Sequence, residues 1–389
     1  MIKKSISFRL GLINIRSLNT GQDELVAAVN NYRLDVLAIN ETWLKNDQTG
    51  LAPAIPGYVF KHKARKTGSR GGGVGFYYKK GLRIRVLPHP TSDLEQMWVE
   101  LHLPGTARLA IGTAYRPESV SVDTAIENLS SSLDTFSSYD SIYILTDFNV
   151  NINNKGASST SALTTFLFQR NLYQLVNEPT RVTDNTSSQI DLVITDTPAI
   201  CSGIYVYHNP KLSDHAMVVA ELKMNKPQRS PQYIYKRILG NIDMNSFNND
   251  LISLDWESVN KMTTLDARVN RFNELINTLF DVHAPMRKIC INSNKPHPWI
   301  TDNIKIMMRL RDSALRRARA SGEDSHFDYY KSLRNYTSGA LEREKKAYFT
   351  FYINNNKNKP KQMWHHLKQI CTTNNVDQSL IPDHLMNPC

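Results

Sequence analysis

Cysteine is scarce in this chain. The four in 389 residues (Cys201, Cys290, Cys371 and Cys389) form no CxxC pair, which excludes a disulfide-stapled scaffold and a four-thiolate zinc site and fits reduced thiols in an intracellular protein. His365, His366 and Cys371 stand close together without a second ligand pair, so they do not read as a zinc site. No apolar run reaches the length of about 18 residues that a membrane-spanning helix needs. The opening MIKKSISFRLGLINI is basic, then alternates, and has no small-residue cleavage site, so it reads as a first strand and not as a signal peptide. Gly71, Gly72 and Gly73 are not followed by Lys-Ser/Thr, which rules out a P-loop. Asp147, Asn149 and Asn151 start like a calcium loop, but Ile152 and Ser158 stand where Gly and Glu are required.

Acidic residues thin out toward the C-terminus. Residues 1–224 hold 22 Lys+Arg against 20 Asp+Glu, whereas 225–389 hold 25 against 16, so most of the net +11 lies in the second part, where a polyanion is drawn. A hydrophobic content of 41% with 21% charged residues is ordinary globular composition.

What is present begins with IYILTDFNVN at residues 142–151, apolar without alternation and then stopping at a carboxylate. That pattern predicts a strand covered on both faces that delivers Asp147 and Asn149 to its end. The opening residues predict a strand over 7–14, a helix over 22–32 and a strand over 36–40, followed by short strands between 59 and 114. Helices over 122–136 and 161–170 and strands over 190–195, 204–208 and 216–222 complete this part. Two packed sheets flanked by helices fit that order. Residues 1–223 are therefore taken as one domain, 224–240 as a Pro-containing linker and 241–389 as a basic all-helical region, with helices over 264–283, 300–320, 326–354 and 361–371. Ile304, Met308, Arg311 and Leu315, and then Tyr329, Leu333, Tyr336 and Leu341, recur at helical spacing.

Strand ends in the first part carry an unusual share of acid, amide, imidazole and phenol: Asn14, Glu41, Tyr115, Asp147 with Asn149, Asp191, and Ser213-Asp214-His215. Hydrolysing a phosphodiester requires neutralised non-bridging oxygens, an activated water and help for the leaving oxygen. Mg²⁺, with Mn²⁺ as the alternative, suits the first and last tasks and needs only one or two protein carboxylates. Glu41 is the leading ligand candidate, with Asn14 or Asp214 beside it. Asp147 is the candidate base, assisted by Asn149. His215, held by Asp191, is a donor to a phosphate oxygen, and Tyr115 is a second donor.

These motifs resemble the endonuclease/exonuclease/phosphatase superfamily, and in particular the apurinic-like endonuclease domain of non-LTR (LINE-type) retrotransposons. The resemblance rests on INIRSL, DVLAINETWL, RGGGVGFYYKK, YRP, LTDFNVN, SSQIDLVIT and SDHAMV, in family order across residues 8–222. It implies a four-layer α/β sandwich followed by an all-α extension, and it assigns the roles above to the matching residues. It further implies a Mg²⁺-dependent DNA endonuclease that nicks target DNA to prime reverse transcription, acting in the nucleus after cytoplasmic synthesis. Three positions depart from the family: Arg16 where repair members carry an acid, Thr146 where Gly is usual, and Asn40 in place of Gln. The alternatives are a truncated remnant that binds nucleic acid without cutting it, and a small-phosphoester phosphatase of the same superfamily.

Residues 297–318, 328–349 and 358–370 resemble the helical linker that precedes the reverse transcriptase in such elements, and no polymerase aspartate pair is expected before Cys389. Residues 305–361 hold 14 Lys+Arg against 6 Asp+Glu with Tyr329, Tyr330, Tyr336, Tyr348, Phe349 and Tyr352 interspersed, which makes element RNA or DNA a candidate partner there. Arg16, Arg70, Arg116, Arg181, Arg316, Arg317, Lys345 and Lys346 are the candidate nucleic-acid contacts.

Overall fold

Strands that are apolar on both faces need cover on both sides, and the chain supplies it with two six-stranded sheets packed face to face between helices. The structure is a computed structural model, which describes residues 7–67, 70–102, 108–183, 186–224, 232–291 and 297–361, together with 363, 364 and 367. His365, His366, Cys371 and Cys389 lie outside the described residues. The chain divides into two units, Met1–Pro227 with Asn294–Cys389, and Gln228–Ser293.

The first unit opens with β1 (Phe8–Asn14), α1 (Gln22–Asn31), β2 (Val36–Asn40), β3 (Tyr58–Lys63), β4 (Val74–Lys79), β5 (Arg83–Leu87), β6 (Glu95–His102) and β7 (Arg108–Tyr115). There follow α2 (Val122–Thr135), β8 (Ser141–Asp147), α3 (Ser158–Gln169), β9 (Tyr173–Gln174), β10 (Arg181–Val182), β11 (Ser187–Ser188), β12 (Asp191–Thr195), β13 (Cys201–Tyr207) and β14 (Met217–Leu222). One sheet has the order β13-β14-β1-β2-β4-β3 and the other β5-β6-β7-β8-β12-β9, while β10 and β11 form a separate ribbon. Each large sheet is antiparallel except for one central parallel pair, β1 with β2 and β7 with β8.

Three apolar layers hold the four layers of structure together. Leu10, Leu12, Val36 and Ala38 meet Val99, Ile111, Tyr143 and Leu145 between the sheets. Ile13, Leu37 and Ile39 lie under Leu25 and Val29 of α1, and Ile142, Ile144 and Leu192 lie under Leu129 of α2 and Leu163 and Phe166 of α3. Each fully buried aliphatic side chain of this kind contributes about 1.5–3 kcal/mol. The expected four-layer sandwich is therefore what forms.

The second unit contains β15 (Gln232–Lys236), α4 (Met244–Ile252), α5 (Glu257–Asn260), α6 (Leu265–His283) and β16 (Arg287–Ile291). The region after residue 240 is helical as expected, but β16 returns to pair with β15, a ribbon that the sequence pattern did not reveal because its strands are about fifty residues apart.

α7 (Asp302–Ser321) and α8 (Asp324–Asn355) follow. Thr301 caps α7 by accepting from the Ile304 amide, and Gly322, with φ +68, ends it in the left-handed conformation that glycine adopts without strain. These helices fold back over the outer face of the first sheet, where Trp299, Ile304, Met308, Ala340 and Leu341 join the apolar layer of α1. Charge fixes the seat. Fully buried Arg311 donates to Glu24 at 2.6 and 3.1 Å, and Asp23 accepts from Trp299 at 2.7 Å and from Lys345 at 2.8 Å. In α8 the buried stripe is Tyr330, Thr337, Ala340 and Leu341, whereas Tyr329 and Tyr336 are 60% and 62% exposed. Of the four residues read at helical spacing, Leu341 is buried and Leu333 packs against Leu315 and Tyr330, whereas the phenols of Tyr329 and Tyr336 turn outward.

Candidate active site

Register builds the site. Across the second sheet Glu95, Tyr115, Asp147 and Asp191 are paired in turn, so four polar side chains occupy one rung over β6, β7, β8 and β12. In the first sheet Asn14 at the end of β1 pairs with Asn40 at the end of β2. The sheets are tied at this mouth: Asn40 donates to the Ala114 carbonyl at 3.0 Å and accepts from Thr113 at 2.8 Å, and Asn14 reaches Asp147 at 2.8 Å.

The centre is a buried chain of contacts. Asn14 Nδ2 donates both to Glu41 (2.7 Å) and to Asp147 Oδ2, while its Oδ1 accepts from the Arg16 amide at 3.1 Å. Asp147 Oδ1 accepts from the Asn149 amide at 3.0 Å. His215 Nδ1 contacts Asp191 at 2.9 and 3.1 Å and lies 3.9 Å from Asp147. Asp147, Asp191 and His215 each present an atom within 4.8 Å of the others, a set able to hold a cation. Burial, with the Asp191 carboxylate second, pushes the Asp147 carboxyl up to about 7. Burial alone disfavours a charged His215, but Asp191, and then Asp147 and Asp214, outweigh it and raise the imidazole to about 9. The imidazolium is thus the cation that these carboxylates already share. Tyr115 is raised as well, by burial first and by Glu41 and Asp147 next, which keeps its phenol protonated as a donor.

Glu41 sits at φ +54, with Trp43 at +57, Asn149 at +51 and Arg16 at +52. Left-handed backbone at non-glycine residues costs about 1–3 kcal/mol each and gathers where function holds it in place. The bracing comes from two of the glycines that did not fit a P-loop. Gly72 and Gly73 carbonyls accept from Trp43 and Thr42 at 2.9 and 3.1 Å, the Gly73 amide donates to Glu95 at 2.6 Å, and a Cβ on Gly73 would fall 2.5 Å from Thr42 Oγ1. Trp43 then donates to Glu41 Oε2 at 3.0 Å.

The other candidates separate. Arg16 and Arg181 contact Asp214 at 3.2 and 3.1 Å, and although burial acts the other way, His215 and these arginines hold its carboxyl below the ordinary range. In the structure the Asp214 carboxylate is thus engaged by two guanidinium groups. Arg116 is buried, with its guanidinium donating to the carbonyls of Phe148 (2.7 Å), Val120 (2.6 Å) and Asn149 (3.0 Å), so it ties loops together and is withdrawn from nucleic acid. Lys345 is likewise engaged, on Asp23 and over the Trp299 ring. Arg70 stacks on Trp43 at 5.3 Å, and Arg316, Arg317 and Lys346 are exposed.

Sequence reasoning missed Trp43, Glu95 and Thr180, whose Oγ1 accepts from the Asp191 amide at 3.0 Å. Trp43 stands in a quoted motif and Glu95 lies between two of them, and only the three-dimensional neighbours show what each residue braces. Thr146 faces away from the site, on the side of β8 that Ile142 and Ile144 turn to α2 and α3. Its hydroxyl is buried without a hydrogen-bond partner. Thr146→Val, nearly isosteric, is therefore expected to stabilise the protein by about 1 kcal/mol in urea denaturation and leave hydrolysis unchanged.

Among known proteins, a model of the Endonuclease/Exonuclease/phosphatase family matches residues 11–215. The RNA-directed DNA polymerase from mobile element jockey of Drosophila melanogaster is 21% identical over 361 residues, covering 90% of this chain; the chain spans 38% of that relative's length. Similar solved structures include the endonuclease domain of TRAS1, a telomere-specific non-LTR retrotransposon (14% identity, TM-score 0.47, 56% of this chain and all of that one). An AP endonuclease from Archaeoglobus fulgidus aligns with 14% identity and a TM-score of 0.44, over the same shares. Because the family match covers more than half of the chain and takes in the strands that carry Asn14, Glu41, Asp147, Asp191 and His215, the chain belongs to the endonuclease/exonuclease/phosphatase family.

Proposed function

We propose that the protein is a Mg²⁺-dependent DNA endonuclease whose nick leaves a 3′ hydroxyl for reverse transcription of a non-LTR element, acting in the nucleus. The observation that carries the reading is the relay from half-exposed Glu41 through buried Asn14 to Asp147 and on to His215 and Asp191. The relative from mobile element jockey supports the element context.

The donor chemistry fits a hard cation. Glu41 offers a half-exposed carboxylate whose oxygens are oriented by Asn14 and Trp43, as Mg²⁺ requires of its few protein ligands. Asn14 directs its Nδ2, not its oxygen, toward Glu41, so its part here is to orient the carboxylate. Bound Mg²⁺ supplies charge neutralisation on the phosphate and on the leaving oxygen. Asp147 accepts the proton of the attacking water. Asn149, whose amide fixes Asp147 and whose side chain holds the Arg116 carbonyl at 2.9 Å, sets the base in place. His215, oriented through Nδ1 by Asp191, keeps Nε2 as a cationic donor for a phosphate oxygen, and Tyr115 donates from the opposite strand.

The two titrations predict a bell. The rate rises as Asp147 ionises near pH 7 and falls as His215 loses its proton near pH 9. In measurements of kcat/KM against pH, Asp191→Asn is expected to move the alkaline limb to lower pH. Nicking of supercoiled plasmid with Mg²⁺, and its loss with EDTA, tests the reading as a whole; metal-independent nicking, or none, overturns it. Faster release of phosphate from small phosphomonoesters than nicking favours the phosphatase reading instead.

A further inference from the structure

The loop before His215 also borders a second hollow. A pocket of about 220 Å³ is lined by Thr183, His208, Asn209, Ser213, Asp214 and Arg319. Five of these belong to the nuclease layers, and the sixth comes from the last turn of α7. The pocket adjoins the hydrolytic site directly: Ser213 donates to the Asn14 carbonyl at 2.6 Å, and Asp214 immediately precedes His215.

Charge around the pocket does not balance. Asp214 already receives both Arg16 and Arg181. Arg319 is half-buried, and among the described residues no carboxylate pairs with it. His208 adds no negative charge; burial and then Arg319 lower its imidazole to about 4, so the ring is neutral at physiological pH. The pocket's one carboxylate is thus already matched by two arginines, and Arg319 is left without a counter-charge. A cation in the last turn of a helix offsets the helix dipole, which accounts for the sign of Arg319 but not for its partial burial beside a neutral imidazole. Withdrawing a guanidinium from water without a counter-charge is unfavourable, and an arriving anion reverses that loss.

We propose that the helical extension completes the substrate site, with Arg319, which shares the pocket with the Asp214 that Arg16 and Arg181 contact, receiving a backbone phosphate of DNA next to the phosphodiester that is cut. The inference rests on the reading of the protein as a DNA nuclease. It makes α7 a working wall of the nuclease, held in place by the Arg311–Glu24 pair two turns earlier on the same helix.

Binding without cleavage separates the two readings. Anisotropy of a fluorescein-labelled DNA duplex is followed with the full chain in EDTA, over about 50–200 mM salt. Arg319→Ala is expected to weaken binding about tenfold and to reduce the slope of log K against log salt by about 0.9, the value for one phosphate. Arg319→Lys keeps the slope. Thr183→Glu, which leaves α7 untouched and places a carboxylate at the pocket, is expected to weaken binding as well and guards against a folding defect in Arg319→Ala. If both variants match the wild type in affinity and slope, the role of Arg319 is overturned and the nuclease reading stands. If the wild type binds no duplex at the lowest salt, both fall.

Discussion

Asp147→Asn is expected to lower plasmid nicking about 10³-fold, within the range for removing a general base, without unfolding the protein. The reason lies in what the carboxylate costs where it stands. Asp147 is fully buried, lies on the same rung as Asp191, and has its carboxyl raised from 3.8 to about 7. A carboxyl whose folded pKa lies above its unfolded value binds more protons when folded, so it favours folding at low pH and this contribution is lost as pH rises through about 7. Relative to wild type, the Asn variant therefore gains thermal stability between pH 5 and pH 8 while losing activity. A merely structural Asp147 gives the opposite signature, with activity and stability falling together. His215→Ala differs: it leaves Asp191 buried without its cation, and breaking such a pair costs about 3–5 kcal/mol, so nicking and melting temperature both drop. An Asp147→Asn protein that nicks at the wild-type rate overturns the assignment of the base.

Much of this was legible because β-strands write their ends plainly. An apolar run that stops at Asp147, or at Glu41 one residue past β2, places a polar group at a sheet's rim whatever the tertiary context. Which rim groups meet is a matter of register, and register is a long-range property: Asp147 and Asp191 face each other because β8 and β12 pair antiparallel, and nothing local in either strand states it. For the same reason Asp214 read as a ligand and Arg116 as a contact. Both residue types suit those roles, and only the three-dimensional neighbours show what engages them here, two arginines for the first and four backbone carbonyls for the second. The fold-back of the extension left one mark in the sequence. Arg311 stands in the apolar stripe of Ile304, Met308 and Leu315, an ionic group on a face meant for burial. Its partner, Glu24, is 287 residues away, beyond what periodicity can report.

That pair carries the second large prediction. Arg311 is 1% and Glu24 7% exposed, and their two contacts are charge-assisted and bidentate. Arg311→Met leaves Glu24 in an apolar layer with only Asn209, at 3.1 Å, to satisfy it, and is expected to cost about 3–5 kcal/mol in urea denaturation. Asp312, which also contacts Arg311 at 2.8 Å, is partly exposed and can turn to water. If the cost is that of an uncompensated charge, removing the charge should repair it: Glu24→Leu combined with Arg311→Met is expected to recover most of the loss, because a well-packed apolar pair often matches a buried ion pair. Equal destabilisation in the single and double variants would instead assign the cost to lost packing of the arginine stem. The same substitutions bear on the substrate site, since Arg311 seats the helix that presents Arg319. Arg311→Met should weaken duplex binding even where the protein remains folded, and the double variant should restore binding together with stability, because what α7 contributes to DNA depends on where Glu24 holds it.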